Sequence, residues 1–209
     1  MLKSFQPFFT PILAFAAFLL ILLISMSKAD SFFLLHEAGH PHLDLAMFLG
    51  TYLGDGFASI PVVLLLLFFA SYRKALVFTI SFAVAGLGAQ ALKKGLFADF
   101  KRPLGHFGEE GLQLVEGLRM HENFSFPSGH TAAGLAIFFG LMLLNTNNKW
   151  WQITCGIGAC FVGYTRIYLG QHFPADVFTS LLFSSTVCLL VFFWAKNWRG
   201  SKWDKNLLA

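Results

Sequence analysis

An all-α integral membrane protein is the fold class this sequence predicts: six transmembrane helices in a bundle, with an active site at the extracytoplasmic face. Three observations carry that expectation. Of 209 residues, 56% are hydrophobic and 12% charged, a balance that places much of the surface against lipid. Six apolar stretches can be marked out, roughly 7–27, 54–71, 75–92, 129–145, 151–169 and 175–195, near the ~17–25 residues that cross a bilayer. The charges between them fall into two sets with different characters. Residues 1–209 are expected to form one membrane-embedded domain.

The first stretch follows Lys3 and ends before Ser27-Lys28-Ala29-Asp30. Its Ser-x-Ala ending also matches a cleaved signal peptide, although the apolar run exceeds the usual signal core. The loop after it contains His36-Glu37-Ala38-Gly39-His40, a match to the zinc motif that puts two histidines on one helical face. Gly39 and Pro41 discourage a helix continuing through His40, and a third ligand would have to come from His42, Asp44 or Asp55. A solvated interfacial loop is the preferred reading, followed by a short helix over 43–53. The second stretch ends at Tyr72-Arg73-Lys74, a tight basic turn. The third carries Ala83, Ala85, Gly86, Gly88 and Ala89, small residues that let helices approach closely in lipid.

The longest polar segment, 93–127, holds Lys93, Lys94, Lys101, Arg102 and Arg119 beside four glutamates. Trp150 and Trp151 open the fifth stretch, and Trp194 and Trp198 close the sixth, as in an interfacial aromatic belt. Cys155, Cys160 and Cys188 all lie inside apolar runs and read as packing residues. Lys3, Arg73-Lys74, Lys149 and the tail cations Lys196, Arg199, Lys202 and Lys205 share one side of a six-span arrangement, which the positive-inside rule makes the cytoplasm. Segment 93–127 then lies outside, in the periplasm for a bacterial inner membrane, and its cations need another task. The net charge of +4 is scattered, without the contiguous basic face that nucleic acid requires. No obligate protein partner is evident.

Two short runs supply the task. Pro127-Ser128-Gly129-His130 precedes the fourth stretch, and Arg166-Ile167-Tyr168-Leu169-Gly170-Gln171-His172-Phe173-Pro174-Ala175-Asp176 precedes the sixth. Each sets an imidazole at the mouth of a span, and the second adds a cation before its histidine and a carboxylate after it. Nucleophile, general acid, orienting carboxylate and anion clamp are what phosphoryl transfer without a metal would need. The runs resemble the second and third motifs of the phosphatidic acid phosphatase type 2 superfamily, with Thr165 in place of the third motif's serine. The family's first motif, Lys, six residues, Arg-Pro, is only approximated: Arg102-Pro103 is present, but Gly95 occupies the lysine position.

The resemblance implies a metal-independent lipid phosphate or diphosphate phosphatase acting through a phosphohistidine, without a cofactor. Its catalytic residues would be His172 as nucleophile, His130 as general acid and base, and Asp176 as the group orienting His172. Arg102, Arg166, Ser128, Gly129 and a lysine would bind the substrate phosphate. Lys93, Lys94 and Lys101 are candidates for that lysine. Lys94 is favoured, because one extra residue can be absorbed as a bulge at Gly95. Polyprenyl diphosphate, lipid A and phosphatidylglycerophosphate all suit such a site, polyprenyl diphosphate on family frequency. The alternatives are a membrane zinc protease using His36 and His40, and a membrane protein whose histidines are merely interfacial.

Overall fold

A computed structural model describes residues 2–36, 39–198 and 202–208, with side chains from Phe5 onward. Glu37 and Ala38 of the zinc-like run, Arg199 of the tail and the side chain of Lys3 lie outside the described residues. The described residues are helical and loop, with no strand. Six rods follow the six apolar stretches: α1 (Leu2–Ser25), α4 (Ser59–Phe69), α5 (Tyr72–Gly95), α7 (Gly129–Met142), α8 (Lys149–Tyr168) and α9 (Pro174–Ala195). Three further helices lie between them, α2 (Lys28–Phe33), α3 (Pro41–Thr51) and α6 (Pro103–Phe107).

The rods differ in how well they suit lipid. Phe5–Ser25, Tyr72–Gly95 and Pro174–Ala195 are each long and apolar enough to cross a bilayer. Pro41–Gly54 and Gly56–Phe69 pass together as a pair bent by 63°, while Gly129–Asn145 is apolar but shorter. The second stretch is thus one arm of a broken rod. Its break follows from Gly54 and Gly56 around Asp55, whose Oδ1 accepts the Phe57 amide at 3.0 Å and starts a new turn. The chain is an integral membrane protein.

The starts of the helices are set by local chemistry. Ser71, Ser128 and Asn148 cap α5, α7 and α8 with side-chain oxygens. Pro41, Pro103 and Pro174 open α3, α6 and α9 at first-turn positions where no amide is needed. His40 is therefore the residue before a helix, as Gly39 and Pro41 led us to expect. The interior is made where α8 packs on α1 and α7, and α5 and α9 on α7. Gly156 permits the first of these contacts: a β-carbon there would lie 2.3 Å from the Phe8 carbonyl oxygen. Phe8, Phe139, Leu135, Met142 and Leu181 fill the centre.

These packings gather the end of α5, the start of α7, the end of α8 and the start of α9 at one end of the bundle, around a cavity. At the other end Arg73, Lys74, Asn147 and Lys196 surround a separate apolar hollow. The tail docks there, with the Lys205 and Trp203 carbonyls accepting the Tyr72 and Arg73 amides at 2.9 and 3.0 Å.

Candidate active site

The run from Arg166 to Asp176 forms a fixed platform. Asp176, in the first turn of α9, accepts three hydrogen bonds on Oδ2: from the Phe173 amide at 3.0 Å, Ser125 Oγ at 2.5 Å and His172 Nδ1 at 3.1 Å. The carboxylate cannot donate, so Nδ1 carries the proton and Nε2 keeps its lone pair. His172 lines the cavity, whereas Asp176 stands behind it. The His172 side chain is 2% exposed. Burial holds its pKa well below the ordinary 6.5, and Arg102, Lys93 and Arg166 push in the same direction. A neutral imidazole with a free Nε2 facing a cationic hollow is suited to attack an anionic electrophile.

The cavity has a volume of about 580 Å³ and is lined by His130, His172, Gly129, Arg102, Arg166 and Lys93, among others. Arg166, in the last turn of α8, is buried; its Nη1 donates to Thr51 Oγ1 at 2.6 Å, while Nε has no partner among the described residues. Arg102 caps α6 from the preceding loop. Its Nε donates to the Asn123 carbonyl at 3.0 Å, and Nη1 to Gln171 Oε1 at 2.8 Å. Burial lowers the Arg102 pKa, with Asp176 opposing, yet a guanidinium stays protonated in any protein setting. His121, above the cavity, is also lowered, by burial and then by Arg102, Arg119, Arg166 and Lys93. Several cations therefore converge on one hollow, as an anion site demands.

The structure revises the expected phosphate contacts. Lys94 is exposed and outside this cavity, bordering only a neighbouring hollow; Lys93 is 6% exposed and lines the cavity. The physical reason is helix register. Ser81, Ala85, Ala89 and Lys93 form one buried line at four-residue spacing along α5. The helix runs unbroken to Gly95, so no bulge turns Lys94 inward and the extra residues sit in the loop 96–101. The Lys93 ammonium makes no ion pair or hydrogen bond among the described residues. Lys101 is exposed in that loop.

The four residues Pro127–His130 divide their work. Ser128 is wholly buried and does not line the cavity; its Oγ accepts from Thr131 Oγ1 at 2.9 Å. Gly129 does line it, and a β-carbon there would meet only Gln90 Nε2, at 3.7 Å. An anion can approach the first α7 amides from that side. His130 faces the cavity with its side chain 40% exposed and Nε2 3.9 Å from Asp55 Oδ2.

Four residues absent from the expected site contact its members, Thr51, Asp55, Ser125 and Gln171, and Lys93, weighed only as an alternative to Lys94, lines the cavity. Gln171 was visible beside His172, and its span of contacts explains its burial. It accepts from Arg102 and donates to the Arg119 carbonyl at 3.2 Å, tying the loop over the cavity to the run from Arg166 to Asp176. Thr51, Asp55 and Ser125 gave no signal, because their partners are distant in sequence.

His36 of the zinc-like run points elsewhere. His36 Nδ1 donates to the Tyr168 carbonyl at 2.7 Å and the ring stacks on Phe32 at 4.9 Å between centroids. Burial lowers its pKa, against the opposing pull of that carbonyl. Among the described residues no group of three or more His, Cys, Asp or Glu side chains is arranged to hold a metal ion.

Comparison with known proteins agrees with this geometry. The family model for the PAP2 superfamily matches residues 74–200. An undecaprenyl-diphosphatase of Sulfolobus acidocaldarius is 34% identical over 148 residues, covering 70% of this chain and 67% of that protein. A lipid A 1-phosphatase of Rhizobium johnstonii is 35% identical over 116 residues, covering 55% of this chain but only 44% of that protein. Among solved structures, a transmembrane PAP2-type phosphatidylglycerolphosphate phosphatase from Bacillus subtilis superposes with a TM-score of 0.58 at 26% identity, over 95% of this chain and 96% of that one. With both runs contributing to one cavity and the family model spanning more than half its length, the chain belongs to the PAP2 superfamily.

Proposed function

We propose that this protein is a lipid phosphate phosphatase that hydrolyses a phosphate or diphosphate headgroup through a phosphohistidine. The observation that carries this is the His172–Asp176 pair, whose geometry leaves Nε2 as a free nucleophile beside Arg102, Arg166 and Lys93. In the first step Nε2 attacks phosphorus and the bond to the departing lipid oxygen breaks, with His130 giving that oxygen its proton. In the second a water attacks the phosphohistidine, His130 takes the water's proton, and orthophosphate leaves with His172 restored. The cations and the α7 amides hold the phosphoryl oxygens throughout, as charge redistributes. That clamp takes the part a metal plays in other phosphoryl transfer, so chelators should leave the rate unchanged.

Residues 1–209 work as one membrane-embedded unit of six spans, with this cavity on the extracytoplasmic face and the basic end in the cytoplasm. Arg73, Lys74 and Lys196 at the end opposite the cavity support that orientation. The bilayer of a bacterial inner membrane would then deliver substrate from its outer leaflet. A cysteine at Glu110 should react with an impermeant thiol reagent in intact cells, and one at Asn147 should not.

Several cations around one cavity suit a diphosphate, and polyprenyl diphosphate is the favoured substrate; lipid A and phosphatidylglycerophosphate present the same phosphoryl chemistry. The decisive experiment measures phosphate release by the purified protein from a panel of these three lipids, with and without chelator. Release from any of them, unaffected by chelator, is expected, with the fastest naming the substrate. No release from any would overturn the proposal, and loss on chelation with recovery on zinc would overturn its metal independence.

A further inference from the structure

The bend between α3 and α4 belongs to none of the three motif regions, yet two of its side chains face groups assigned to the reaction. Thr51 accepts from Arg166 at 2.6 Å. Asp55 Oδ2 lies 3.9 Å from His130 Nε2, and both side chains line the cavity. The backbone holds Asp55 there. A β-carbon on Gly54 would fall 2.7 Å from the His130 carbonyl oxygen and 2.5 Å from Val162 Cγ1, so the bend abuts the start of α7 as closely as glycine allows. Asp55 Oδ1 is taken by the Phe57 amide at 3.0 Å, leaving Oδ2 toward the imidazole.

We infer that Asp55 is the positioning residue for His130, so that the site contains two histidine–carboxylate pairs instead of one. This rests on the phosphatase function proposed above. To protonate the departing oxygen, His130 must carry a positive charge among Lys93, Arg102 and Arg166, all of which border the same cavity. An anion beside the ring offsets that repulsion, and a ring nitrogen turned to Asp55 leaves the other for the lipid oxygen. The 3.9 Å separation exceeds a hydrogen bond, as catalytic contacts often do before substrate closes them. With side-chain exposures of 36% for Asp55 and 40% for His130, the pair also reaches water, which supplies and removes the protons that His130 passes on.

The simpler role for Asp55 is to cap the turn after it. Asparagine caps as well as aspartate, so Asp55→Asn removes the charge and keeps the cap. The full chain would be assayed with a long-chain alkyl phosphate, whose alkoxide needs a proton to leave, and a lipid-tailed nitrophenyl phosphate, whose phenolate does not. Asp55→Asn should lower alkyl phosphate turnover roughly 10- to 100-fold, within the ~10²–10⁴ that a general acid–base group supplies. The first-turnover burst of nitrophenolate should keep its wild-type rate. In a His130→Ala background the same change should cost nothing further, because Asp55 acts through that ring. Unaltered alkyl phosphate turnover, equal losses on both substrates, or additive losses in the double variant would each overturn the inference. A wild-type protein inactive on both lipids would overturn the phosphatase function instead.

Discussion

His172 and His130 face the same cavity from opposite conditions. His172 is enclosed, with Nδ1 bonded to a carboxylate that three donors hold still. His130 is part-exposed, its nearest carboxylate 3.9 Å away. The difference fits the parts proposed for the two rings. A nucleophile needs one tautomer at all times, and burial with a fixed acceptor supplies it. A group that alternately gives and takes protons needs both forms, contact with water and room to move. Rigidity at the start of α9 and looseness at the start of α7 are therefore complementary parts of one arrangement.

The strongest way to break this contrast is His172→Ala. Turnover should fall to background, and no acid-labile phosphate should be trapped on the protein during reaction; a trapped phosphate would move the nucleophile elsewhere. Asp176→Asn comes next. It should cost on the order of 10³- to 10⁴-fold in kcat, as when a carboxylate that fixes a catalytic tautomer is neutralised, measured by phosphate release on folded protein. A loss below tenfold would mean that burial alone aligns His172.

The anion clamp is expected to matter less than the nucleophile. Lys93→Ala should lower the rate on the order of a hundredfold, the effect of losing one preorganised contact, while Lys94→Ala should stay within about twofold. The reverse ranking would show that substrate draws α5 into a different register from the one seen here.

The smallest effect concerns pH. With the His172 pKa held well below 6.5, the ring remains neutral as pH falls through 6.5, and kcat/KM should show no acid limb at that value. Stability behaves differently, because unfolding lets the ring bind a proton at its ordinary pKa. The contribution of a neutral buried His172 is fully present above pH 6.5 and is lost as pH falls from there toward the folded pKa. His36, also lowered, adds to the same trend. Thermal unfolding in detergent should therefore shift to lower temperature below pH 6.5 before activity responds, and simultaneous loss would contradict a neutral His172.

Much of this was legible in the sequence because it is local. Apolar stretches delimited the six rods to within a few residues, except at 54–71, where glycines on either side of Asp55 bend the chain and the helix proper starts at Ser59. The spacing of His172 and Asp176 is one turn, so their pairing needed no knowledge of the fold. Lys93 was harder. Choosing it over Lys94 required knowing that the line through Ser81, Ala85 and Ala89 faces inward, and small residues on α5 occur on more than one face. Ser128, expected beside the anion at the start of a span, is the helix cap there, buried and off the cavity wall. Thr51 and Asp55 were illegible, since their partners Arg166 and His130 are brought to them only by the packing of α3 and the following turn on α8 and α7.

The position of α8 has a consequence for how the chain enters its membrane. Gln152, Thr165 and Arg166 are buried along this helix, and it is not among those long and apolar enough to cross a bilayer unaided. Around α8 pack α1, α3 and α7, all earlier in the chain, and Thr51 of α3 takes the Arg166 hydrogen bond. In the six-span arrangement proposed above, insertion of the fifth rod would be a cooperative act, in which segments already in place provide the polar-tolerant seat that lipid does not. Biogenesis should accordingly be most sensitive to changes on the α1 face that receives Gly156, far from any reacting atom, and such changes should reduce the amount of inserted protein more than the turnover of what is inserted.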